Sequence, residues 1–362
     1  MKWKEVLEIK SGKNQKDVAD INGCYPIYGS GGIIGYSKEY LCPAGTTIIG
    51  RKGTINSPLY VNEPFWNVDT AFGLIPSQQL VSKYLYYFCF KALDKSTTIP
   101  SLAKRDLENI EMNVPPLDEQ FRIVARIEEL FSELDKAVDT LKTTKEQLEV
   151  YRQAVLKNAF SCLPETVEMD KIADMIDPQP SHRTPPEYKN GIPYIGIGDI
   201  DYQNKKINFE DARKVSPEVL DEHLHRYTIH KGDFVMGKIG TIGKPYKIPD
   251  EQNYALSANV ILIQPNKEKI YPEFLFWQFS SSLVTKQLTL GAKATSQPAF
   301  GIKKARLLSI KICELEKQFK IIKRLEAEMS CCDNIEKTVD TALAQADAMR
   351  QSILKQAFEE TM

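Results

Sequence analysis

No stretch of this chain is apolar for long enough to cross a bilayer. The densest run, YLYYFCF from Tyr84 to Phe90, falls far short of the roughly 20 apolar residues a spanning helix needs. The opening residues hold no apolar core of the kind a secretory leader carries. A soluble, cytoplasmic protein without membrane contact is therefore expected. Cysteine is sparse: seven residues, at 24, 42, 89, 162, 313, 331 and 332, with no C-x-x-C pair. An odd count without paired spacing argues against a disulfide framework or a zinc site and fits a reducing compartment. Histidine is scarcer still, with only His182, His223, His225 and His230, all in the second half. A metal site around DEHLHRY would need carboxylate or cysteine partners at fixed spacing, so none is expected.

Nucleotide-binding signatures are missing too. A P-loop needs G-x-x-x-x-G-K followed by Ser or Thr, because backbone amides wrap the phosphates while the hydroxyl holds magnesium. Gly237 to Lys244 has one residue too many, and Pro245 stands where the hydroxyl should be. Gly29, Gly31 and Gly35 give G-x-G-x-x-x-G, one residue off the dinucleotide fingerprint. DPQP at Asp177 lacks the aromatic residue of an adenine-methyltransferase motif, and no cofactor loop lies upstream. The chain reads as a binder with no catalytic residues and no cofactor of its own.

Charge of either sign is not in large excess: 47 basic against 48 acidic residues. Divided along the chain, residues 1 to 115 and 164 to 313 each come to +2, while 116 to 163 and 314 to 362 together reach −5. A nucleic-acid binder usually shows a basic footprint, and a pI near 6.5 argues mildly against one; what basic excess exists lies outside the two negative segments, which are left to solvent or to protein partners.

Those two segments also lack glycine and proline from Leu117 to Leu163 and from Leu315 to Met362. Both are predicted to be long helices, the first entered through Pro115 and Pro116 with Asp118 and Glu119 in its first turn. They are copies. Residues 117 to 160 align with 315 to 358 at a constant offset of 198, with 17 identities in 44 positions. Leu117, Phe121, Val124, Ile127, Phe131, Leu134, Val138 and Leu141 fall at steps of three or four, as do Leu315, Phe319, Ile322 and Leu325. That is the period of a seam packed against another helix. A register of this length spans roughly 66 Å at about 1.5 Å per residue, so an antiparallel coiled-coil pair serving as spacer is expected. Two turns of B-DNA, at about 34 to 36 Å each, cover a similar distance.

The segments before each helix correspond as well, at an offset that only rises. Tyr28 and Gly29 meet Ile195 and Gly196 at 167, and GTTIIGRKGTI from Gly45 meets GDFVMGKIGTI from Gly232 at 187. SKYLYYF meets PEFLFWQ at 190, and TTIPSL meets TSQPAF at 198. The reading is an α+β protein with an internal pseudo-twofold repeat: a mixed α/β domain at 1–115, a helix at 116–163, a second domain at 164–313 and a helix at 314–362. A chain of 362 residues is more than one core usually serves. Glycine turns would bring Arg51, Lys52, Lys238 and Lys244 to phosphates, and Ser30, Thr54, Asn56 and Thr241 to polar readout. The segments leading into each helix add Thr97, Thr98, Lys104, Lys293, Thr295, Ser296, Gln297, Lys303, Lys304 and Arg306. For any one of the turn residues, glycines that merely permit the turn and lysines that are ordinary solvated charge explain the sequence better than contact does; an ordinary helix cap accounts for the lead-in hydroxyls, and only the basic cluster of the second copy favours DNA there.

Together, YPIYGSGGIIGYS, GTTIIGRKGTI, FWNVDTAFGLIP, TTIPSL and PPLDEQ with the terminal R-Q-x-x-L-K-x-A-F resemble the specificity subunit of type I restriction-modification systems. The second copy, with IPYIGIGDI, GDFVMGKIGTIGK and ATSQPAFG, is similar to the second half of that family. The resemblance implies two target recognition domains that each read one half of a split double-stranded DNA sequence. It also implies helices that set the gap and dock two methyltransferase subunits, with restriction subunits in those complexes that carry them. S-adenosylmethionine and ATP would then belong to the partner subunits. The alternative is a non-catalytic scaffold whose two globular ends bind proteins, which the mild acidity favours.

Overall fold

The computed structural model describes residues 1–51, 55–93, 102–181, 183–292 and 299–359. It is an α+β structure in two compact units: residues 1–143 with 339–362, and residues 144–338. The two long helices, Leu117–Ser161 and Leu315–Glu359, each contribute to both units. Among the described residues no helix is long and apolar enough to cross a membrane.

In the first unit a four-stranded antiparallel sheet runs in the order Leu7–Ser11, Ala71–Pro76, Thr46–Gly50, Leu59–Val61. Ile9 pairs with Leu74, Leu74 with Thr47, and Phe72 with Ile49. Burial of these β-branched and aromatic residues is why the segment is strand and not turn. A second, mixed sheet sets Tyr25–Gly29 antiparallel to Gly32–Ser37 and parallel to Trp66–Asn67. The second unit repeats both. Its larger sheet runs Ala173–Ile176, Val260–Pro265, Phe234–Gly237, Pro245–Lys247, and its mixed sheet sets Ile192–Ile195 antiparallel to Lys214–Val215 and parallel to Ala255–Leu256. The second copy also carries a hairpin, Ile200–Asp201 with Lys206–Ile207, and a helix, Pro217–Leu224.

Each main core closes on both long helices. In the first unit Ile123, Val124 and Ile127 of one helix and Leu354 and Phe358 of the other are buried with Trp3, Leu74 and Leu85. Leu156, Phe160, Ile322, Leu325 and Met329 do the same with Phe234, Ile263 and Phe274 in the second. Phe358 stands edge-on to Tyr84 at 5.2 Å, as Phe160 stands to Phe274 at 5.3 Å. Full burial of each such side chain is worth roughly 1.5–3 kcal/mol, so the helix ends are structural parts of the cores.

Within each unit the helices run antiparallel, the early part of one against the late part of the other. Arg152 reaches Asp333 at 2.7 Å and Glu336 at 2.9 Å, and Lys145 approaches Glu336 at 3.9 Å. Adding 198 to Arg152 and subtracting it from Asp333 gives Arg350 and Asp135, which are also ion-paired. Along the second helix Leu325, Met329, Cys332, Val339 and Ala346 are buried, at steps of four, three, seven and seven, in register with the heptad of a coiled-coil seam. Cys332 and Ala346 are the small residues that allow close approach there.

The seam needs correction in its first turns. Val124, Ile127, Leu134, Ile322 and Leu325 are buried, and Phe131, Val138, Leu141 and Leu315 are half-buried, but Leu117, Phe121 and Phe319 are exposed. The inward position is taken by a glutamine in both copies. Gln120 Oε1 accepts the Val81 N–H at 2.8 Å, and its Nε2 donates to the carbonyls of Gln79 and Pro115, each at 2.8 Å. Gln318 Oε1 accepts the Tyr271 N–H at 3.0 Å, and its Nε2 donates to Lys269 at 3.1 Å and Cys313 at 2.7 Å. Both glutamines are fully buried. Each satisfies backbone groups where a shorter helix begins, Ser82–Ala92 or Pro272–Phe279, and a leucine or phenylalanine could not.

Candidate nucleic-acid interface

The loop after Phe234–Gly237 is shaped by its glycines. A Cβ on Gly237 would lie 1.7 Å from the Thr241 carbonyl oxygen, and Gly240 and Gly243 have φ of +79° and +75°, a region L side chains rarely adopt. The Gly243 N–H donates to the Gly237 carbonyl at 3.0 Å, closing the loop and leaving Thr241 exposed at its tip. Lys244 is also exposed, its ammonium 3.9 Å from the centre of the Tyr202 ring. The Tyr202 hydroxyl donates to the Lys244 carbonyl at 2.9 Å.

This loop is fastened to the segment that leads into the second long helix. The Phe300 N–H donates to the Lys238 carbonyl at 2.9 Å, and Ile239 pairs with Ala299. Lys303 and Lys304 follow, both exposed, with Lys304 Nζ donating to the Gly291 carbonyl at 2.8 Å. The first copy repeats the fastening: the Leu102 N–H donates to the Arg51 carbonyl at 2.9 Å, and Lys104 stands exposed two residues on. Arg51 Nη1 donates to the Asp69 carbonyl at 3.1 Å while its guanidinium lies 5.1 Å from the centre of the Phe72 ring. In both units, then, a residue at the start of the glycine turn, Arg51 or Lys238, is bonded to the end of the lead-in segment, Leu102 or Phe300, with exposed cations nearby.

Other candidates fall elsewhere. Ser30 sits half-buried at the turn between Tyr25–Gly29 and Gly32–Ser37, and Asn56 is half-buried ahead of Leu59–Val61. Lys52, Thr54, Thr97, Thr98, Lys293, Thr295, Ser296 and Gln297 lie outside the described residues. Lys238 requires correction as a phosphate contact. Its side chain is buried and its ammonium is 2.7 Å from Asp177, so its charge is already neutralised within the protein. Such a pair is costly to break, because either partner left alone is a buried charge. The two line a cavity of about 330 Å³ together with Lys303 and Lys304. Asp177 is the first residue of DPQP, and its role here is to hold the glycine loop's base.

The histidine region is structural packing. His223 is buried, with Nδ1 2.7 Å from the Tyr227 hydroxyl and Nε2 2.9 Å from Gln179 Oε1. Burial, assisted by the nearby Arg226 guanidinium, lowers its pKa to about 4, so the ring is neutral at physiological pH. Among the described residues no cluster of three or more His, Cys, Asp or Glu side chains could hold a metal ion. Burial also pushes the Cys42 thiol up to about 12, which leaves it unreactive.

A repeated α+β unit with exposed cations beside its turns defines a duplicated two-domain protein. The chain belongs to the type I restriction modification DNA specificity domain family, whose model matches residues 1–150 and 164–345. It is similar to the EcoBI specificity subunit of Escherichia coli, with 24% identity over 86% of this chain and 72% of that protein. It is 26% identical to the MjaVIII specificity subunit of Methanocaldococcus jannaschii over 78% of this chain and 69% of that protein. Its fold is shared with the HsdS subunit from Thermoanaerobacter tengcongensis, at a TM-score of 0.55 and 16% identity, over 100% of this chain and 96% of that one. A chain from a structural study of complex assembly and conformational transition in the type I R-M system gives a TM-score of 0.74 at 15% identity, over 99% and 96%.

Proposed function

We propose that this specificity subunit reads a bipartite DNA site, one half with each recognition domain, 1–115 and 164–313. The observation that carries the reading is the repeated fastening. In each copy the glycine turn is bonded to the lead-in segment, through Arg51 and Leu102 or through Lys238 and Phe300. Exposed Arg51, Lys104, Thr241, Lys244, Lys303 and Lys304 supply phosphate contacts and polar readout beside those turns. The long helices set the gap between half-sites and dock two methyltransferase subunits, which carry S-adenosylmethionine. Restriction subunits, in a complex that has them, carry ATP. The complex acts on DNA in the cytoplasm.

The test is to co-express the chain with its methyltransferase subunit and map modified adenines across a host genome by single-molecule sequencing. One motif of two short sequences split by a fixed gap is expected. Deleting seven residues from each long helix in register should shorten the gap and leave both half-sequences unchanged. A continuous motif, or a stable complex that methylates nothing, would refute the reading and favour a protein scaffold.

A further inference from the structure

The two copies hold the cations of their glycine turns differently. At the offset of 187, Lys238 corresponds to Arg51 and Lys244 to Ser57. Leu7 and Ala173 take the same place, opposite Pro76 and Pro265, so Asp177 corresponds to Ser11, four residues along. In the second copy Asp177 meets the Lys238 ammonium at 2.7 Å. In the first a serine stands there, and a neutral hydroxyl cannot cancel the charge of Arg51. Arg51 is exposed, and the one hydrogen-bond partner of its guanidinium among the described residues is the Asp69 carbonyl, at 3.1 Å.

At the far end of the turn the asymmetry reverses. Lys244 is exposed where the first copy has the uncharged Ser57. Each available cation lies on an aromatic ring: Arg51 is 5.1 Å from the centre of Phe72, and Lys244 is 3.9 Å from the centre of Tyr202. A ring face attracts the charge and narrows the region that a long side chain sweeps. Phe72 belongs to the strand Ala71–Pro76, but Tyr202 comes from a hairpin. The first copy turns directly from Gly29 to Gly32, whereas the second inserts Ile200–Asp201 and Lys206–Ile207 between the paired residues Ile192 and Val215. Tyr202 stands edge-on to Tyr246 at 5.6 Å, and its hydroxyl donates to the Lys244 carbonyl at 2.9 Å. Lys205 of the same hairpin meets Asp333 of the second long helix at 2.7 Å and anchors it.

We propose that each recognition domain offers DNA one oriented cation, at opposite ends of the same turn: Arg51 on Phe72 in the first, Lys244 on Tyr202 in the second. Each contacts a backbone phosphate beside its half-site, and Lys238, despite its corresponding position, contacts none. Tyr202 is a positioning residue supplied by the inserted hairpin. The inference rests on the specificity-subunit reading and deepens it. A cation fixed in this way sets the register of the duplex without reading its sequence, so the copies share a fold but engage DNA with the charge displaced along the turn.

The full chain in complex with its methyltransferase subunit, titrated with duplexes carrying the split motif, tests this. Arg51→Ala and Lys244→Ala should each lower the slope of log affinity against log salt by about one. Duplexes in which single phosphates are replaced by neutral methylphosphonates locate the contacts. The phosphate that Arg51→Ala no longer senses and the one that Lys244→Ala no longer senses should lie beside different half-sites. Replacing both members of the buried pair, Asp177→Leu with Lys238→Met, should leave the slope unchanged, since apolar side chains of similar volume can stand in for such a pair. Tyr202→Leu should lose the contact with Lys244 still present, and Tyr202→Phe, which keeps the ring, should retain it. A parental slope in Arg51→Ala or Lys244→Ala, both phosphates at one half-site, a slope lowered by the double substitution, or a Tyr202→Leu complex that keeps the contact overturns the proposal and leaves the specificity-subunit reading standing. A parent complex that binds the split motif no better than a scrambled duplex overturns both.

Discussion

Replacing Gln120 with alanine should destabilise the first unit selectively, by about 3 kcal/mol. The side chain makes three hydrogen bonds, to the Val81 N–H and the carbonyls of Gln79 and Pro115. It is fully buried, so the truncation leaves three backbone groups facing a cavity. A net loss near 1 kcal/mol per bond gives about 3 kcal/mol, and orphaned buried groups push the cost upward unless water enters. Gln120→Leu should fare no better despite its volume, because leucine offers neither donor nor acceptor. Gln120→Glu keeps the acceptor but turns a carboxylate toward two carbonyls. Hydrogen exchange resolved by mass spectrometry is the suitable assay, because a single unfolding midpoint is poorly defined for a chain of two units. Peptides covering Leu7–Ser11 and Ala71–Pro76 should exchange faster by about two orders of magnitude, while Phe234–Gly237 and Val260–Pro265 should not change. Gln318→Ala should give the mirror result. A loss below about 0.5 kcal/mol, or equal acceleration in both units, would refute the pinning argument.

Three further outcomes follow from other parts of the molecule. His223 keeps a pKa of about 4 in the fold against roughly 6.5 in an unfolded chain. Neither state is protonated above pH 7, and below about 6.5 the unfolded state takes the proton first, so stability is lost as pH falls toward 4. The full effect is about 3 kcal/mol at about 1.4 kcal/mol per unit. Denaturant titrations of His223→Gln should show a flatter decline over that window, and an unchanged slope would sink the assignment. Asp177→Ala leaves Lys238 buried without its partner and should cost about 3 kcal/mol, read from exchange in Phe234–Gly237; stability within error of the parent would contradict the ion-pair account. Lys303→Ala, at an exposed position, should leave stability unchanged and lower the slope of log affinity for DNA against log salt by about one. An unaltered slope would remove Lys303 from the phosphate contacts.

The duplication itself was fully legible. The constant offset of 198 through the helices, and its steady rise through the preceding segments, marked two copies of one unit, and the four-stranded and mixed sheets recur in the same order in both. The long helices themselves were legible because glycine and proline are missing from those stretches. The choice of inward face in the first helical turn was not, because periodicity weights apolar residues and so selected Phe121 and Phe319, both exposed. A clue was available: Gln120 and Gln318 are among the identities between the copies, and a polar residue retained in both calls for a backbone partner. Lys238 misled for a related reason. A lysine in a glycine loop reads as solvated charge until the fold brings Asp177, 61 residues away, to 2.7 Å.

The amino-acid order alone thus determined what depends on local period and repetition: the long helices and the two copies. Tertiary structure decided which charges remain available. Ion pairs such as Arg152 with Asp333 or Arg350 with Asp135 join residues far apart in the chain, and spacing carries no record of them. It also decided where the copies differ, since only the folded hairpin shows Lys205 reaching Asp333.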